Sequence, residues 1–279
     1  MEQILLGAPV AKQLDEISKN VFQKHRKENE KPHLTAITVG DNPASLLYVT
    51  RKQEKALDLG VEFNWLKLDS NTSQETLEDV ISEASESTDG LIIQLPLPIH
   101  LNPEEAINCI PHEVDVDGLT SYNLGSLFSN AYNLIPATSL AVLELLNFYN
   151  IKTEDKNIVI AGRSRLVSAP LAKILSSKSY NANVSVIHSK TTNQKLFTKE
   201  ADIFISAIGS AKMYDHTFFK NGATIIDIGI SSVDGKTYGD IDTAQIGEVI
   251  SSRAPFPGGV GPITVSALFF NLSRLIQTN

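Results

Sequence analysis

The sequence predicts an α/β protein of two α/β lobes, the C-terminal one a Rossmann-like parallel sheet, with an active-site cleft between them. Three observations predict it. Short runs rich in β-branched residues alternate with longer segments of helical period, which is the pattern of βαβ units around parallel sheets. Two such series occur, separated by a stretch from Pro111 to Pro136 that is rich in Gly, Asn and Ser. The length of 279 residues also suits one large domain or two medium ones, at roughly 100–200 residues each. With 42% hydrophobic and 20% charged residues, the chain can bury a core and is not disordered.

In the first series LTAITVG (34–40) reads as a buried strand. Asp41 or Asn42 can cap the following helix, Pro43 suits its first position and Gly60 its far end. VEFNWLKL (61–68) is a second strand, and Thr72 with Glu75 has capping-box spacing before the next helix. GLIIQLPL (90–97) is a third strand, after which Asn102, Pro103 and Glu105 open a short helix. The weakly patterned stretch up to Pro136 reads as active-site loop plus crossover, and Thr138 caps the apolar SLAVLELLNFY.

The second series is NIVIAG (157–162), VSVIH (184–188), DIFISAIG (202–209) and ATIIDIG (223–229), spaced as strand–helix–strand repeats. APFPGGVGP (254–262) then precedes a terminal helix from about Thr264. The lobes are therefore expected at 1–138 and 139–263, with the helix 264–279 packing back on the first.

A net charge of −8 argues against a surface that neutralises phosphate backbones, so nucleic acid is not an expected partner. The single cysteine, Cys109, excludes an internal disulfide and a Cys-rich zinc site, and suits a reducing compartment. The first twenty residues lack a basic segment followed by a long apolar run, and no apolar stretch approaches the ~18 residues of a membrane span. The expectation is a cytoplasmic protein with no membrane partner.

IVIAGRSRLVSAP is a strand, a glycine turn and a helix, an order that brings backbone N–H groups and a helix N-terminus to a pyrophosphate. Of the three glycines of G-x-G-x-x-G only Gly162 is present; Ser164 and Val167 hold the other places. VSVIH ends in His188 and Ser189, with no acid for a ribose diol. Arg163 and Ser189 can instead serve a 2′-phosphate, which leans towards NADP over NAD, although Arg163 also reads as a solvated loop charge.

YVTRK places Tyr48 and Lys52 four residues apart on one helix face. A lysine with the usual pKa of ~10.4 is protonated at neutral pH. To act as a base there, its proton affinity must fall about a thousandfold, roughly 4 kcal/mol. Tyr-x-x-x-Lys on a helix is also common surface decoration. The same spacing marks short-chain dehydrogenases, but in that family the dinucleotide turn precedes the pair, whereas here Lys52 precedes Gly162 by 110 residues.

Gln94, at the carboxyl end of a parallel strand, would face a ligand crevice, where its amide can orient an amine without adding negative charge. In VDVDG, Asp115 and Asp117 precede a flexible glycine; without the wider EF-hand spacing no metal site is expected, and an Asp there can accept hydrogen bonds from an amino-heterocycle. PFPGGVGP suits a backbone brought close to a flat ligand, with a linker as the plainer alternative.

Together, VGDNPASLLYVTRKQEKALDLGV, LIIQLPLP, VDVDGLTSYNLG, GRSRLV, HSKTT, ADIFISAIG, IIDIGI and PFPGGVGPIT resemble the bifunctional methylenetetrahydrofolate dehydrogenase/methenyltetrahydrofolate cyclohydrolase family, in the family's order. The resemblance implies NADP-dependent oxidation of 5,10-methylenetetrahydrofolate to the methenyl form, and hydrolysis of that to 10-formyltetrahydrofolate. It implies Lys52 as catalytic lysine, Gln94 as the group tuning it, Tyr48 against the folate and Asp117 as anchor of the pterin ring. It places Gly162, Arg163, Ser164, Ser189 and Ile230 on the NADP site, and Pro257, Gly258 and Gly259 where folate and nicotinamide meet. It also implies a homodimer.

The chain departs from the family pattern in several places. Ser168 replaces the glycine after GRSxxV, Ala137, Ser139 and Ala141 replace the Cys, Pro and Gly of PCTPxG, and Ala211 stands where a proline is common. A side chain at 168 would crowd the cofactor helix. This makes a cyclohydrolase with weak or absent dehydrogenase activity the main alternative, with a shikimate- or amino-acid-dehydrogenase-like NADP enzyme as another.

Overall fold

The computed structural model describes residues 2–27, 31–246 and 249–278; Met1 and Asn279, the outer ends of the expected ranges, lie outside the described residues. The first half of the chain forms β1 (Gln3–Ile4), α1 (Gly7–Lys27), β2 (His33–Val39), α2 (Pro43–Leu59), β3 (Glu62–Leu68), α3 (Gln74–Ser85), β4 (Gly90–Ile93), α4 (Pro103–Asn108), α5 (Ser121–Phe128) and α6 (Ala137–Phe148). The second half forms β5 (Asn157–Ala161), α7 (Ser168–Leu175), β6 (Asn183–Ile187), α8 (Gln194–Thr198), β7 (Ile203–Ser206), β8 (Ala223–Asp227), β9 (Ser231–Val233), β10 (Lys236–Tyr238), β11 (Ile250–Ala254) and α9 (Val260–Thr278). No described helix is long and apolar enough to cross a membrane.

The chain forms two compact units. One, the N-lobe, comprises Lys12–Ala137 with Val265–Asn279; the other, the C-lobe, comprises Met1–Ala11 with Thr138–Thr264. The first eleven residues thus leave the lobe expected for them. The reason is β1, which pairs in parallel with β11 and donates from the Leu5 amide to the Arg253 carbonyl at 2.7 Å.

The N-lobe sheet is three-stranded and parallel, in the order β3-β2-β4. Residues Leu34–Val39 of the central β2 are all buried, as a strand covered on both faces requires, whereas the edge strand β3 alternates. Ile37, Ile81, Leu91 and Ile93 meet in its core. Helix α2 begins where Asn42 Oδ1 accepts from the Ala44 and Ser45 amides, with Pro43 next, and ends at Gly60 with φ 74°. Those caps fix how α2 leaves the carboxyl end of β2.

The C-lobe sheet is six-stranded and parallel throughout, in the order β1-β11-β8-β7-β5-β6, with β9 and β10 forming a separate antiparallel ribbon. Strand order reverses at β5, which lies between β6 and β7; in such sheets ligands bind at the carboxyl ends of the strands beside that reversal.

Several local expectations shift. The third strand stops at Ile93, because Pro96 and Pro98 cannot supply ladder amides. Ser73 caps α3 in place of Thr72, accepting from the Thr76 amide at 3.1 Å. Thr138 lies inside α6, which starts at Ala137, and α9 starts at Val260, ahead of Thr264.

Candidate active site

Tyr48 and Lys52 project from one face of α2, and β4 delivers Gln94 just past its last residue, where the Gln94 amide still donates to the Ile37 carbonyl of β2 at 2.9 Å. The two elements bring together side chains 42 positions apart: Lys52 Nζ donates to Gln94 Oε1 at 3.0 Å. Gln94 Nε2 in turn donates to the Leu95 carbonyl at 2.8 Å. Each end of the amide faces the partner its chemistry needs, so its orientation is fixed from both sides. Ser45 Oγ also donates to the Leu95 carbonyl, at 3.4 Å, tying the first turn of α2 to this segment.

Burial pushes the Lys52 amine below the usual lysine range, while the nearby Asp117 carboxylate opposes that fall. Asp117 itself is pushed up by burial, against the pull of Lys52, with Asp115 adding to the rise. Burial thus lowers the proton affinity of the lysine and raises that of the aspartate, the directions that suit a proton-transfer site. Burial raises the Tyr48 phenol, and the Arg51 guanidinium, 5.9 Å over its ring, opposes this.

The two acids of VDVDG separate in role. Asp115 is 1% exposed and accepts from the Gly118 and Thr120 amides and from Asn123 Nδ2 at 2.8–3.0 Å, so it builds the turn. Asp117 is the acid whose charge acts on Lys52. Sequence reasoning missed Asn271, whose Nδ2 donates to the Val116 and Ile135 carbonyls, both at 2.9 Å, and so anchors the segment next to Asp117 on α9. A buried Asn among apolar helix residues is the signal that could have found it. No cluster of metal-ligating side chains occurs among the described residues.

In the C-lobe, Gly162 (φ 122°) follows β5 at the strand-order reversal. A Cβ there would lie 2.7 Å from the Ala207 carbonyl oxygen and 2.8 Å from Ser168 Oγ, so only glycine fits. Ser168 therefore occupies room that Gly162 leaves, which is how a side chain is accommodated at the first position of α7. Its hydroxyl is fully buried without a hydrogen-bond partner. Ser139, another departure, donates from Oγ to the Val167 carbonyl at 3.1 Å, a bond that proline could not make. Ser164 Oγ accepts from the Val167 amide at 3.2 Å and shapes the turn, while Arg163 and Ser164 stay exposed on it.

Ser189 is exposed after β6, next to His188, and Ile230 is 43% exposed after β8. A glycine turn with Arg163 and Ser164 exposed on it, and the absence of an acid at the end of β6, fit a phosphorylated dinucleotide. In the loop before α9, a Cβ on Gly258 (φ 100°) would meet nothing within 4 Å, whereas one on Gly259 would lie 2.6 Å from the Pro255 carbonyl oxygen. Gly258 leaves open space beside Pro257; Gly259 is needed by the chain's own packing.

Two family models match: tetrahydrofolate dehydrogenase/cyclohydrolase, catalytic domain, over residues 5–117, and its NAD(P)-binding domain over residues 136–279. The bifunctional protein FolD of Streptococcus agalactiae serotype Ia is 39% identical over 272 residues, covering 96% of this chain and 95% of that protein. The crystal structure of the bifunctional FolD methylenetetrahydrofolate dehydrogenase/cyclohydrolase from Campylobacter jejuni matches with a TM-score of 0.94 at 32% identity, over 100% of this chain and 99% of that one. The Trypanosoma brucei FolD, solved with NADP cofactor and inhibitor, matches with a TM-score of 0.93 at 29% identity, over 99% and 98%. This chain belongs to the tetrahydrofolate dehydrogenase/cyclohydrolase family.

Proposed function

We propose that Lys52, held by Gln94 and facing Asp117, is the proton-transfer group of a bifunctional enzyme that oxidises 5,10-methylenetetrahydrofolate with NADP⁺ and hydrolyses the product to 10-formyltetrahydrofolate. The observation that carries this reading is the 3.0 Å bond from an amine with depressed proton affinity to a neutral amide.

NADP⁺, when bound, supplies the hydride acceptor for the bridging methylene carbon. Gly162, Arg163, Ser164, Ser189 and Ile230 are the residues that would hold it, with Arg163 and Ser189 towards the 2′-phosphate. Asp117 accepts from the amino-heterocycle of the folate and Tyr48 lies against it, and the family likeness adds Pro257 and Gly258 to the residues expected at the substrate. Water attacks the methenyl carbon, and the free amine of Lys52 takes a proton from it. The resulting ammonium returns a proton to the ring nitrogen that leaves as its bond to that carbon breaks. One proton is released in the net hydrolysis. Gln94 orients the amine without the negative charge that would keep it protonated.

The composition and the family likeness support a cytoplasmic homodimer that uses tetrahydrofolate one-carbon derivatives and neither nucleic acid nor membrane. The test is purified protein with methylenetetrahydrofolate, comparing NADP⁺ with NAD⁺ and following methenyl decay. Lys52→Met is expected to lose hydrolysis by a large factor while still binding NADP; near-normal hydrolysis would end the assignment.

A further inference from the structure

We infer that Asp240 is a positioning residue for the dinucleotide crevice of the C-lobe: its carboxylate sets the turn that follows β7 against Gly162, and so governs cofactor affinity. The inference rests on the NADP reading above.

Asp240 is fully buried. Its Oδ2 accepts from Ser206 Oγ at 2.6 Å and from the Ile208 amide at 2.9 Å, and its Oδ1 accepts from the Ser210 amide at 2.7 Å. The donors are the last residue of β7 and two amides of the segment that leaves its carboxyl end, beside the strand-order reversal. Ala207, inside that clamped segment, presents the carbonyl oxygen that lies 2.7 Å from the position of a Gly162 Cβ. Gly209, also inside it (φ 65°), would set a Cβ 3.4 Å from the carbonyl oxygen of Ile230. One side chain therefore shapes the backbone next to both the dinucleotide turn and an expected cofactor residue.

The clamp has its own support. The Asp240 amide donates to Asp227 Oδ1 at 3.0 Å and the Ile241 amide to Asp227 Oδ2 at 3.1 Å. A Cβ on Gly229 would fall 2.0 Å from Asp240 Oδ2, and one on Gly239 would fall 2.1 Å from Asp227 Oδ2. Both glycines are thus explained as room for the two carboxylates. Asp227, and Tyr214 on the segment after β7, are titratable groups whose proton affinity the Asp240 charge raises. Three inward-pointing donors call for a group that only accepts, which an ionised carboxylate is and an amide is not. An Asn at 240 would point its own N–H₂ at one of those donors and release part of the turn.

The test uses the full chain as Asp240→Asn and Ser206→Ala, with Asp234→Asn in the exposed turn between β9 and β10 as control. NADPH affinity is read by fluorescence titration, alongside methenyltetrahydrofolate hydrolysis and thermal melting. Asp240→Asn is expected to weaken NADPH binding about tenfold or more and to raise KM for NADP⁺ more than it lowers kcat, with hydrolysis close to wild type. Ser206→Ala, which removes one donor of three, should shift affinity the same way by less, and Asp234→Asn not at all. Unchanged NADPH affinity in a folded Asp240→Asn protein overturns the inference. So does parallel loss of affinity, hydrolysis and melting temperature, which would mark a purely structural residue. If Asp240→Asn fails to fold, wild-type affinity in Ser206→Ala overturns it instead. Wild-type protein that neither binds NADPH nor hydrolyses the methenyl compound would overturn the functional reading beneath it.

Discussion

Gln94→Glu places a carboxylate where Lys52 now meets a neutral oxygen at 3.0 Å. An opposite charge within about 4–6 Å raises the proton affinity of an amine by roughly one to three pH units. Coulomb attraction at this distance, with an effective dielectric constant of about 20, sets an upper limit near 5 kcal/mol. The cost of burying the new charge, and the lost donation from Gln94 Nε2 to the Leu95 carbonyl, consume much of that, which leaves a rise of about one to two pH units. The free-amine fraction at neutral pH should then fall about 10- to 100-fold. The assay is the pH–rate profile of methenyltetrahydrofolate hydrolysis, whose rising limb should move alkaline by that amount. Gln94→Ala, which removes the partner without adding charge, should lower the rate without moving the limb alkaline. A Gln94→Glu profile with its midpoint at the wild-type pH would refute the reasoning.

Arg163→Ala should weaken NADP by about tenfold or more and NAD far less, since the exposed guanidinium is assigned to the 2′-phosphate; equal losses in titration would place that phosphate elsewhere. Ser168→Ala removes a buried hydroxyl that has no partner, so thermal melting should show it as stable as wild type or more so, by up to about 1 kcal/mol; a clear destabilisation would mean the hydroxyl is paired. Burial raises Asp227 to about 7, against the pull of the backbone amides that donate to it. Its folded-state pKa lies above its unfolded value, so its contribution to stability is fully present below about pH 4 and is lost as pH rises to about 7, by no more than roughly 4 kcal/mol. Denaturant melts of Asp227→Asn across pH 4–8 should lack that slope; an unchanged slope would assign it to other groups.

Much of the site's local scaffolding was legible because its signals are local. Asn42, Pro43 and Gly60 mark the ends of α2 through backbone rules that hold whatever the tertiary context, and the i, i+4 spacing puts Tyr48 and Lys52 on one face. What completes the site was legible through the family resemblance alone: no periodicity says that Gln94 stands 3.0 Å from Lys52, since β2 must first pair with β4. The first eleven residues were expected in the other lobe, because a two-residue strand has no period and its partner, β11, lies some 250 positions away. Asp240 escaped notice for a related reason. Its partners lie about 30 positions earlier, and an acid after Gly239 carries no signal of its own until the glycines beside it are seen as space for carboxylates.

The central claim is that the Lys52 amine holds its proton less tightly than an exposed lysine, because burial withholds water from it and Gln94 offers it a neutral partner. Titration of the ¹⁵N-labelled lysine side chains by NMR, with the Lys52 signal assigned by its loss in Lys52→Met, measures this directly. The account predicts a midpoint for Lys52 well below the usual ~10.4 of exposed lysines. A Lys52 midpoint among those of the exposed lysines would contradict it.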